Sequence, residues 1–250
     1  MTEEIKDNMT PVLEEASKVI EVPLDAEHIN SFRKYAELLR EKNKVMNLTN
    51  ITDDTGIAMR HFIDSLTIVS YIRDEQKKQG RSDISLIDVG TGAGFPGIPL
   101  KVVIPDMRLT LMDSLNKRIG FLREVSDALE LDKVDLIHSR AEDAGKNKKY
   151  REMYDIATAR AVAALPVLCE YCMPFVKVGG VFVAMKGHSE EEIRDAKKAV
   201  ALLGGTIEKV DNFTLPGTDM NRSVIVIRKL RHTPAQYPRQ AGKPSKDPLV

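Results

Sequence analysis

The chain has 250 residues, of which 42% are hydrophobic, and its formal net charge is zero. This length and apolar content suffice for one sizeable core with appendages and do not require two full domains. No stretch is apolar enough to cross a bilayer, and residues 1–8 are too polar for a secretory signal, so we expect neither a membrane protein nor an exported one. The two cysteines, Cys169 and Cys172, lie in one apolar segment and cannot form a disulfide framework, which indicates a reducing cytoplasm.

The balanced charge is unevenly distributed along the chain. Residues 1–30 carry eight acidic side chains against two lysines, so the remainder has a net charge of +6. From Arg228 to the end, six basic residues are opposed by Asp247 alone. A polyanionic partner fits this distribution, and so does simple solvation of charged termini. Charge alone therefore leaves both interpretations open.

Helical spacing of apolar residues predicts three helices before any strand. The first covers 11–22, the second begins at Asp25 as its N-cap, and the third contains 61–72. We interpret 43–50 as an irregular connector. Together these helices predict an N-terminal helical cap, residues 1–75, on a larger domain that covers residues 76–230.

The third helix carries a polar pair, His61 and Asp64. Residues three apart share one face of an α-helix, so the two side chains are expected to be able to hydrogen-bond. One interpretation is direct contact with a ligand, and an equally good one is a half-buried pair that orients the helix. Arg60, beside them, is expected to face solvent or RNA.

A glycine loop follows the first predicted strand. The segment 86–97 reads LIDVGTGAGFPG, which predicts a strand that ends in a tight turn before a helix N-terminus. Gly90, Gly92 and Gly94 would let the backbone approach a ligand. The spacing also fits a dinucleotide fingerprint, but two prolines and Phe95 crowd the helix start, which disfavours a pyrophosphate and favours a nucleoside without phosphates.

The second predicted strand ends in Asp113, a carboxylate suited to accept both hydroxyl protons of a ribose. A nucleoside with a free ribose and no phosphate indicates S-adenosylmethionine as the cofactor. The structural alternative is a glycine loop that only packs a helix, together with a surface aspartate.

Strands and helices alternate over the rest of the chain. Strands are predicted at 84–89, 108–113, 134–138, 154–159, 180–185, 206–212 and 221–228. Helices are predicted between most of them, at 97–104, 116–130, 164–173 and 190–203. This alternation specifies an α/β fold with a doubly wound parallel sheet, and the missing last helix makes the final strand antiparallel. The layout is that of a Rossmann-like, seven-stranded class I methyltransferase.

Several motifs, spread over nearly the whole chain, resemble one family. They are HFIDSL at 61–66, DVGTGAGFPG at 88–97, DSLNKR at 113–118, RAE at 140–142, TARA at 158–161 and YPR at 237–239. In combination they are similar to the RsmG (GidB) methyltransferases, which methylate N7 of a guanine in bacterial small-subunit (16S) ribosomal RNA. The resemblance implies an RNA methyltransferase with S-adenosylmethionine as cofactor and 16S ribosomal RNA or the small ribosomal subunit as partner.

The resemblance also implies which residues contact the cofactor. They are Gly90, Phe95, Ala141, Glu142 and Arg160. Ala141 and Glu142 follow a strand at the carboxyl edge of the sheet, where doubly wound sheets bind ligands, so they are expected to border the adenine. Arg160 ends the next strand and either pairs with the cofactor's carboxylate or holds an RNA phosphate.

Guanine N7 has a lone pair and no proton, so its methylation needs no general base. We therefore expect catalysis by alignment of donor and acceptor, without a metal, and with Arg160, Lys186, His61 and Asp64 as the positioning candidates. Cys169 and Cys172 are expected to pack in the core rather than act as nucleophiles.

Basic residues at the same edge of the sheet and in the tail are candidates for contacts with RNA phosphates. They are Lys117, Arg118, Arg140, Lys186, Arg222, Arg239 and Lys243, with Lys186 the strongest. The proline-punctuated tail, residues 231–250, is predicted to be extended, and its removal is expected to weaken RNA binding while sparing cofactor affinity. No aromatic residue can be nominated to stack on the target base.

Two rival hypotheses remain from the sequence. One is a methyltransferase of small molecules or proteins on the same fold, with an incidental basic tail. The other is a nucleotide-binding regulatory module without turnover. In each case we expect a cytoplasmic monomer.

Overall fold

The computed structural model describes residues 7–160, 163–187 and 190–250, and its centre is a seven-stranded sheet. The strands are β1 (Ser85–Val89), β2 (Arg108–Asp113), β3 (Val134–His138), β4 (Tyr154–Arg160), β5 (Val176–Lys186), β6 (Gly205–Thr214) and β7 (Asn221–Lys229). Their order is β3-β2-β1-β4-β5-β7-β6, with β1 to β5 parallel and β7 antiparallel to both of its neighbours. The predicted α/β architecture is confirmed.

The helices of the cap and of the sheet domain have the following bounds. In the cap they are α1 (Met9–Val19), α2 (Ala26–Met46), α3 (Asp54–Ile57), a π-helix (Ala58–Ile63), α4 (Asp64–Leu66) and α5 (Val69–Gln79). After the glycine loop they are α6 (Gly97–Val103), α7 (Asn116–Ala128), α8 (Ala141–Ala144), α9 (Leu165–Cys172), a 3₁₀ turn (Met173–Phe175), α10 (Glu190–Leu202) and α11 (Lys243–Lys246).

Two hydrophobic clusters cover the two faces of the sheet. Successive strand residues point to opposite faces, so Leu86 of β1 packs with α1, α2 and α6, whereas Ile87 packs with α9 and α10. Because α1 and α2 share a cluster with the strands, the cap and the sheet have a common core. The predicted domain boundary at residue 75 falls inside α5.

Three local predictions needed correction. The second helix does begin with Asp25 as its N-cap, in a capping box with His28, but it continues to Met46 before Asn47 adopts a left-handed conformation, so part of the predicted connector is helical. The third predicted helix is divided by the π-helix. The tail contains α11 and folds back onto the domain, because the Arg239 guanidinium binds the buried Glu170 carboxylate.

Within the residues that the structure describes, no helix combines the length and apolar character needed to span a membrane.

Candidate active site

Two adjoining cavities lie at the carboxyl ends of β1, β2 and β3, and together we call them the donor groove. The first, about 280 Å³, is lined by residues of β1, β2, α8, α9 and the tail, and the second, about 420 Å³, by the glycine loop and the cap. Gly90, Asp113 and Ser114 line both. The two adjoining cavities are together lined by seven of the predicted cofactor contacts: Gly90, Gly92, Phe95, Asp113, Ala141, Glu142 and Arg160.

The three loop glycines have different roles. Gly90 and Gly92 have φ angles of +72° and +62°, and a side-chain carbon on Gly92 would meet nothing within 4 Å, so the groove passes directly over the backbone. Gly94 lies away from the groove. A side-chain carbon there would stand 2.5 Å from the Tyr35 hydroxyl and 2.6 Å from Ile98, so this glycine allows the loop to pack against the cap. Gly94 does not line either cavity of the groove, so its predicted contact with the cofactor stays a prediction.

Two buried aspartates hold the loop in place. Asp88 accepts hydrogen bonds from Thr91 Oγ1 at 2.7 Å and from the Gly97 amide at 2.9 Å. Asp113 accepts from the Gly92 and Leu115 amides at 3.0 and 2.9 Å. The Asp113 carboxylate, which is predicted to bind the ribose, is therefore already oriented by the backbone amides on either side of it.

The end of the groove where Ala141 and Glu142 lie, which is predicted to hold the adenine and is called the adenine side, is closed by the tail. Glu142 Oε1 accepts a hydrogen bond from the Gly242 amide at 2.8 Å, and the hydroxyls of Tyr171 and Ser245 lie 2.7 Å apart. Gly242, Ser245 and Tyr171 all line the cavity. The sequence did not indicate these residues, because nothing in the motif pattern brings the tail near α8.

An aromatic and cationic cluster forms the opposite end of the groove. The His61 ring stacks on Phe95 with centroids 4.5 Å apart, and the Arg160 guanidinium lies 5.1 Å from the Phe95 ring centre. Tyr35 of α2 packs against Phe95 and donates a hydrogen bond to the Ala93 carbonyl. The cap therefore sets the position of the wall against which the ligand would lie.

His61 and Asp64 do not bond to each other, contrary to the prediction. His61 Nε2 lies 2.8 Å from Thr49 Oγ1, whereas Asp64 binds Arg160 at 3.0 Å and Arg222 at 2.7 Å. The π-helix explains the error, since its wider turn moves residues three apart off a common face. Burial, helped by Arg160, lowers the pKa of His61 to about 4, so the imidazole is neutral near pH 7.

A separate pocket of about 460 Å³, which is not part of the donor groove and is called the second pocket below, adjoins the groove at His61 and Arg160. His61 and Arg160 line both spaces, so the pocket and the groove meet at these two side chains. The other lining residues come from the cap, from the end of β5 and from the β6–β7 turn: Ile51, Arg60, Asp64, Met185, Lys186, Gly187, Met220 and Arg222.

The predicted RNA-binding cations fall into two groups. Lys117, Arg140 and Lys243 are exposed, and their side chains form no ion pair within the described part of the chain. The others are paired in the fold: Arg118 with Asp113, Lys186 with Glu192, Arg222 with Asp64, and Arg239 with Glu170 and Asp247. The predicted contact of Arg239 with an RNA phosphate stays a prediction that its geometry disfavours, because its guanidinium already binds the buried Glu170 carboxylate.

Residues 28–222 match the family model described as rRNA small subunit methyltransferase G. The chain belongs to this family.

Relatives support the assignment over nearly the full length. Ribosomal RNA small subunit methyltransferase G of Acetivibrio thermocellus is 54% identical over 229 residues, which cover 92% of each chain. The protein of the same name from Alkaliphilus oremlandii is 47% identical over 247 residues, 98% of this chain and 99% of that one. The resemblance to the RsmG (GidB) methyltransferases is confirmed.

Solved structures of low identity share the fold. A 16S rRNA (adenine(1408)-N(1))-methyltransferase from Catenulisporales acidiphilia matches with a TM-score of 0.51 and 16% identity, over 68% of this chain and 93% of that one. A putative transferase from Pyrococcus horikoshii matches with a TM-score of 0.52 and 12% identity, over 67% and 64% of the two chains. The class I methyltransferase fold is confirmed.

Membership in the methyltransferase G family confirms the predicted activity. The chain is an S-adenosylmethionine-dependent methyltransferase that acts on N7 of a guanine in 16S ribosomal RNA. This favours the main hypothesis over both rivals, the small-molecule or protein methyltransferase and the module without turnover. Cys169 and Cys172 are buried, and burial raises the pKa of both thiols, which fits packing rather than nucleophilic chemistry.

Proposed function

We propose that S-adenosylmethionine lies along the donor groove, with its adenine between Ala141 and the tail, its ribose on Asp113, and its methionine over Gly90 and Gly92. The methyl group then lies beside His61 and Arg160, where the donor groove meets the second pocket, and the RNA base approaches it from that pocket. The observation that carries this placement is that the two cavities adjoin at Gly90, Asp113 and Ser114, which line both of them. Nucleoside and amino acid parts of the donor would each occupy one cavity.

Arg160 is assigned to the carboxylate of the donor rather than to an RNA phosphate. Its Nη1 atom donates to the Arg60 carbonyl at 3.1 Å and to Asp64 at 3.0 Å. Within the described chain Nε and Nη2 have no acceptor, and the side chain is only 13% exposed. A buried cation with free donors that lines the groove suits a small carboxylate better than a phosphate of a bulky polymer.

The transfer proceeds by alignment, without a general acid or base. Guanine N7 attacks with its lone pair, the bond between sulfur and methyl breaks, and the positive charge moves from sulfur to the purine. His61 and Arg160 are consistent with such a transfer, because neither has to exchange a proton. His61 is neutral, with a pKa of about 4, and Arg160 is ion-paired with Asp64. Orientation of two bound reactants can supply roughly 7–11 kcal/mol of the barrier reduction.

Gly92→Ala tests the placement of the donor. The added methyl would project into the groove, so we expect S-adenosylmethionine to bind about tenfold more weakly or worse in calorimetry. The control is Gly80→Ala, at the end of α5. Gly80 has nearly the same φ angle, +64°, and equally open surroundings, so both variants should lose about 1–2 kcal/mol of stability while the control keeps its cofactor affinity. Equal affinity in the two variants would exclude the loop from the site.

The wider setting follows from the same arrangement. Lys117, Arg140 and Lys243 are proposed to contact RNA phosphates around the groove, because they are exposed and without ion-pair partners in the described chain. We also propose a monomer that acts in the cytoplasm, where ribosomal RNA is modified and buried thiols such as those of Cys169 and Cys172 stay reduced.

A further inference from the structure

We propose that the second pocket binds the target guanine after it has swung out of the RNA, and that Arg222 recognises it by donating a hydrogen bond to O6. This inference rests on the proposed donor placement, because the meeting of groove and pocket at His61 and Arg160 defines which side of the donor the base approaches from. N7 and O6 are neighbours on the same edge of guanine. A base whose O6 lies on Arg222 therefore turns N7 toward those two side chains and toward the methyl group.

The pocket has the size and the walls that a flat base requires. Its volume of about 460 Å³ lies within the range of roughly 300–1,000 Å³ typical of small-molecule sites. Ile51, Met185 and Met220 supply apolar surface on three different elements, the cap, β5 and the β6–β7 turn. Thioether side chains are polarizable and adapt their shape to ring faces. They would replace the tryptophan or tyrosine that often covers a flipped base, since neither is among the described residues that line this pocket.

Arg222 has a free donor in a fixed place. Its Nε atom donates to Asp64 at 2.7 Å and its Nη1 atom to the Asn221 carbonyl at 3.1 Å. Among the described residues, Nη2 meets only the Met220 sulfur, at 3.8 Å, which is a weak contact. Asp64 also binds Arg160, so a single buried carboxylate orients the cation on the donor side and the cation on the base side.

A donor fixed beside O6 selects guanine over adenine. Guanine presents two acceptors on this edge, N7 and O6, whereas adenine presents N7 and an amino group that is itself a donor. With adenine in the pocket, Arg222 Nη2 would oppose that amino group and stay unpaired, which costs on the order of 10–100-fold in binding. The arrangement thus explains why a reaction that needs only a purine N7 is confined to guanine.

Arg60 completes the site at its mouth. Its side chain is exposed, lines the pocket, and has no ion-pair partner within the described residues. A nucleotide that leaves the RNA stack carries its phosphate to the edge of the pocket, where Arg60 can neutralise it. Lys186 is less available, because its ammonium group binds Glu192 at 2.9 Å and the Ala163 carbonyl at 2.8 Å.

The test is a double-mutant cycle, in which one change removes the Arg222 guanidinium group and the other removes O6 from the target base. Small subunits are assembled with 16S RNA whose target guanosine is replaced by 2-aminopurine riboside, which lacks O6 and keeps N7. For the native chain we expect kcat/KM to fall roughly 10–100-fold. For Arg222→Met we expect a similar fall with guanosine and less than about threefold further loss with 2-aminopurine, because the same hydrogen bond is already gone. Inosine, which keeps O6 and lacks only the amino group, should lose equally little in both proteins.

Additive losses from Arg222→Met and 2-aminopurine would overturn the proposal. If Arg222→Met folds poorly in thermal unfolding, Arg222→Lys keeps the ion pair with Asp64 but not the Nη2 donor, and it should show the same loss of coupling. Met220→Ala, which removes a wall, should raise KM for the subunit with unchanged cofactor affinity, and its neighbour Asp219→Ala, which lies outside the pocket, should not. An unchanged KM in Met220→Ala would contradict the base site. Failure of the donor placement would appear separately, as normal cofactor affinity in Gly92→Ala.

Discussion

At the scale of single residues, the Asp88 side chain holds the glycine loop in place, and its burial lowers the stability of the fold. Its carboxylate is fully buried at the end of β1, and among the described residues Oδ1 has no hydrogen-bond partner. Burial raises the pKa of Asp88 to about 6, although the bonds from Thr91 and Gly97 act in the opposite direction. The Asp88 carboxylate therefore holds the loop in its tight conformation by accepting hydrogen bonds from Thr91 and Gly97, although its own burial is unfavourable.

Asp88→Asn should change how stability depends on pH. A carboxyl with a pKa of 3.8 in the unfolded chain and about 6 in the fold binds more protons when folded, so its contribution lowers the free energy of unfolding as pH rises from about 4 to 7. We expect this fall to be about 2–2.5 kcal/mol greater in the native chain than in Asp88→Asn. Urea unfolding of both proteins across this range measures it. Parallel pH profiles would show that Asp88 does not titrate there.

At the scale of elements, the tail is a wall of the active site rather than a free arm. Arg239 binds Glu170 of α9, whose side chain is 1% exposed, and the Gly242 amide binds Glu142 beside the adenine side of the groove. Arg151 adds hydrogen bonds to the carbonyls of Thr233 and Tyr237, both at 2.7 Å. Because the tail lines the groove, we now expect its removal to weaken cofactor binding rather than to spare it.

Arg239→Ala should destabilise the protein and weaken cofactor binding together. It leaves the Glu170 carboxylate buried without its cation, a change that costs about 3–5 kcal/mol in comparable buried pairs. Lys243→Ala is the matched control from the same tail, since Lys243 is exposed and forms no ion pair in the described chain. Thermal unfolding and cofactor titration of both variants check this. A stable Arg239→Ala with native cofactor affinity would mean that the tail is not needed to close the groove.

At the scale of the whole molecule, charge is distributed so that exposed cations, unpaired among the described residues, lie at the carboxyl edge of the sheet, where we propose that RNA binds. The carboxyl edge carries exposed Lys117 and Arg140, and the tail brings Lys243 to the same edge beside Glu142. The acidic residues between positions 7 and 30 belong to the cap, whose helices α1 and α2 pack on one face of the sheet. A neutral chain can therefore bind a polyanion in one orientation, since local potential rather than net charge guides the approach.

Removal of one cation from this edge should reduce the salt dependence of RNA binding. For Lys117→Ala we expect the slope of log affinity against log salt concentration to decrease by about 0.7–0.9, as for one lost phosphate contact, with cofactor affinity unchanged. Lys77→Ala is the control, because Lys77 is equally exposed but lies near the end of α5, at the opposite edge of the sheet. Equal slopes in the two variants would remove Lys117 from the RNA interface.

The sequence by itself determined the features that depend on near neighbours. Periodicity and backbone freedom within a few residues determine the order of strands and helices, the helix N-cap at Asp25 and the turn at Gly90. All three were predicted. The family motifs extended this to the cofactor and the target base.

Tertiary structure alone decided which charged residue serves which purpose. Asp64 binds Arg160 and Arg222, which are 96 and 158 residues away, and the basic side chains that seemed equivalent divide into buried partners and exposed cations. The sequence also did not predict that the tail folds back onto the domain or that a π-helix contains His61. Each is set by contacts between distant segments, and burial, not residue type, fixes whether a charge must be paired.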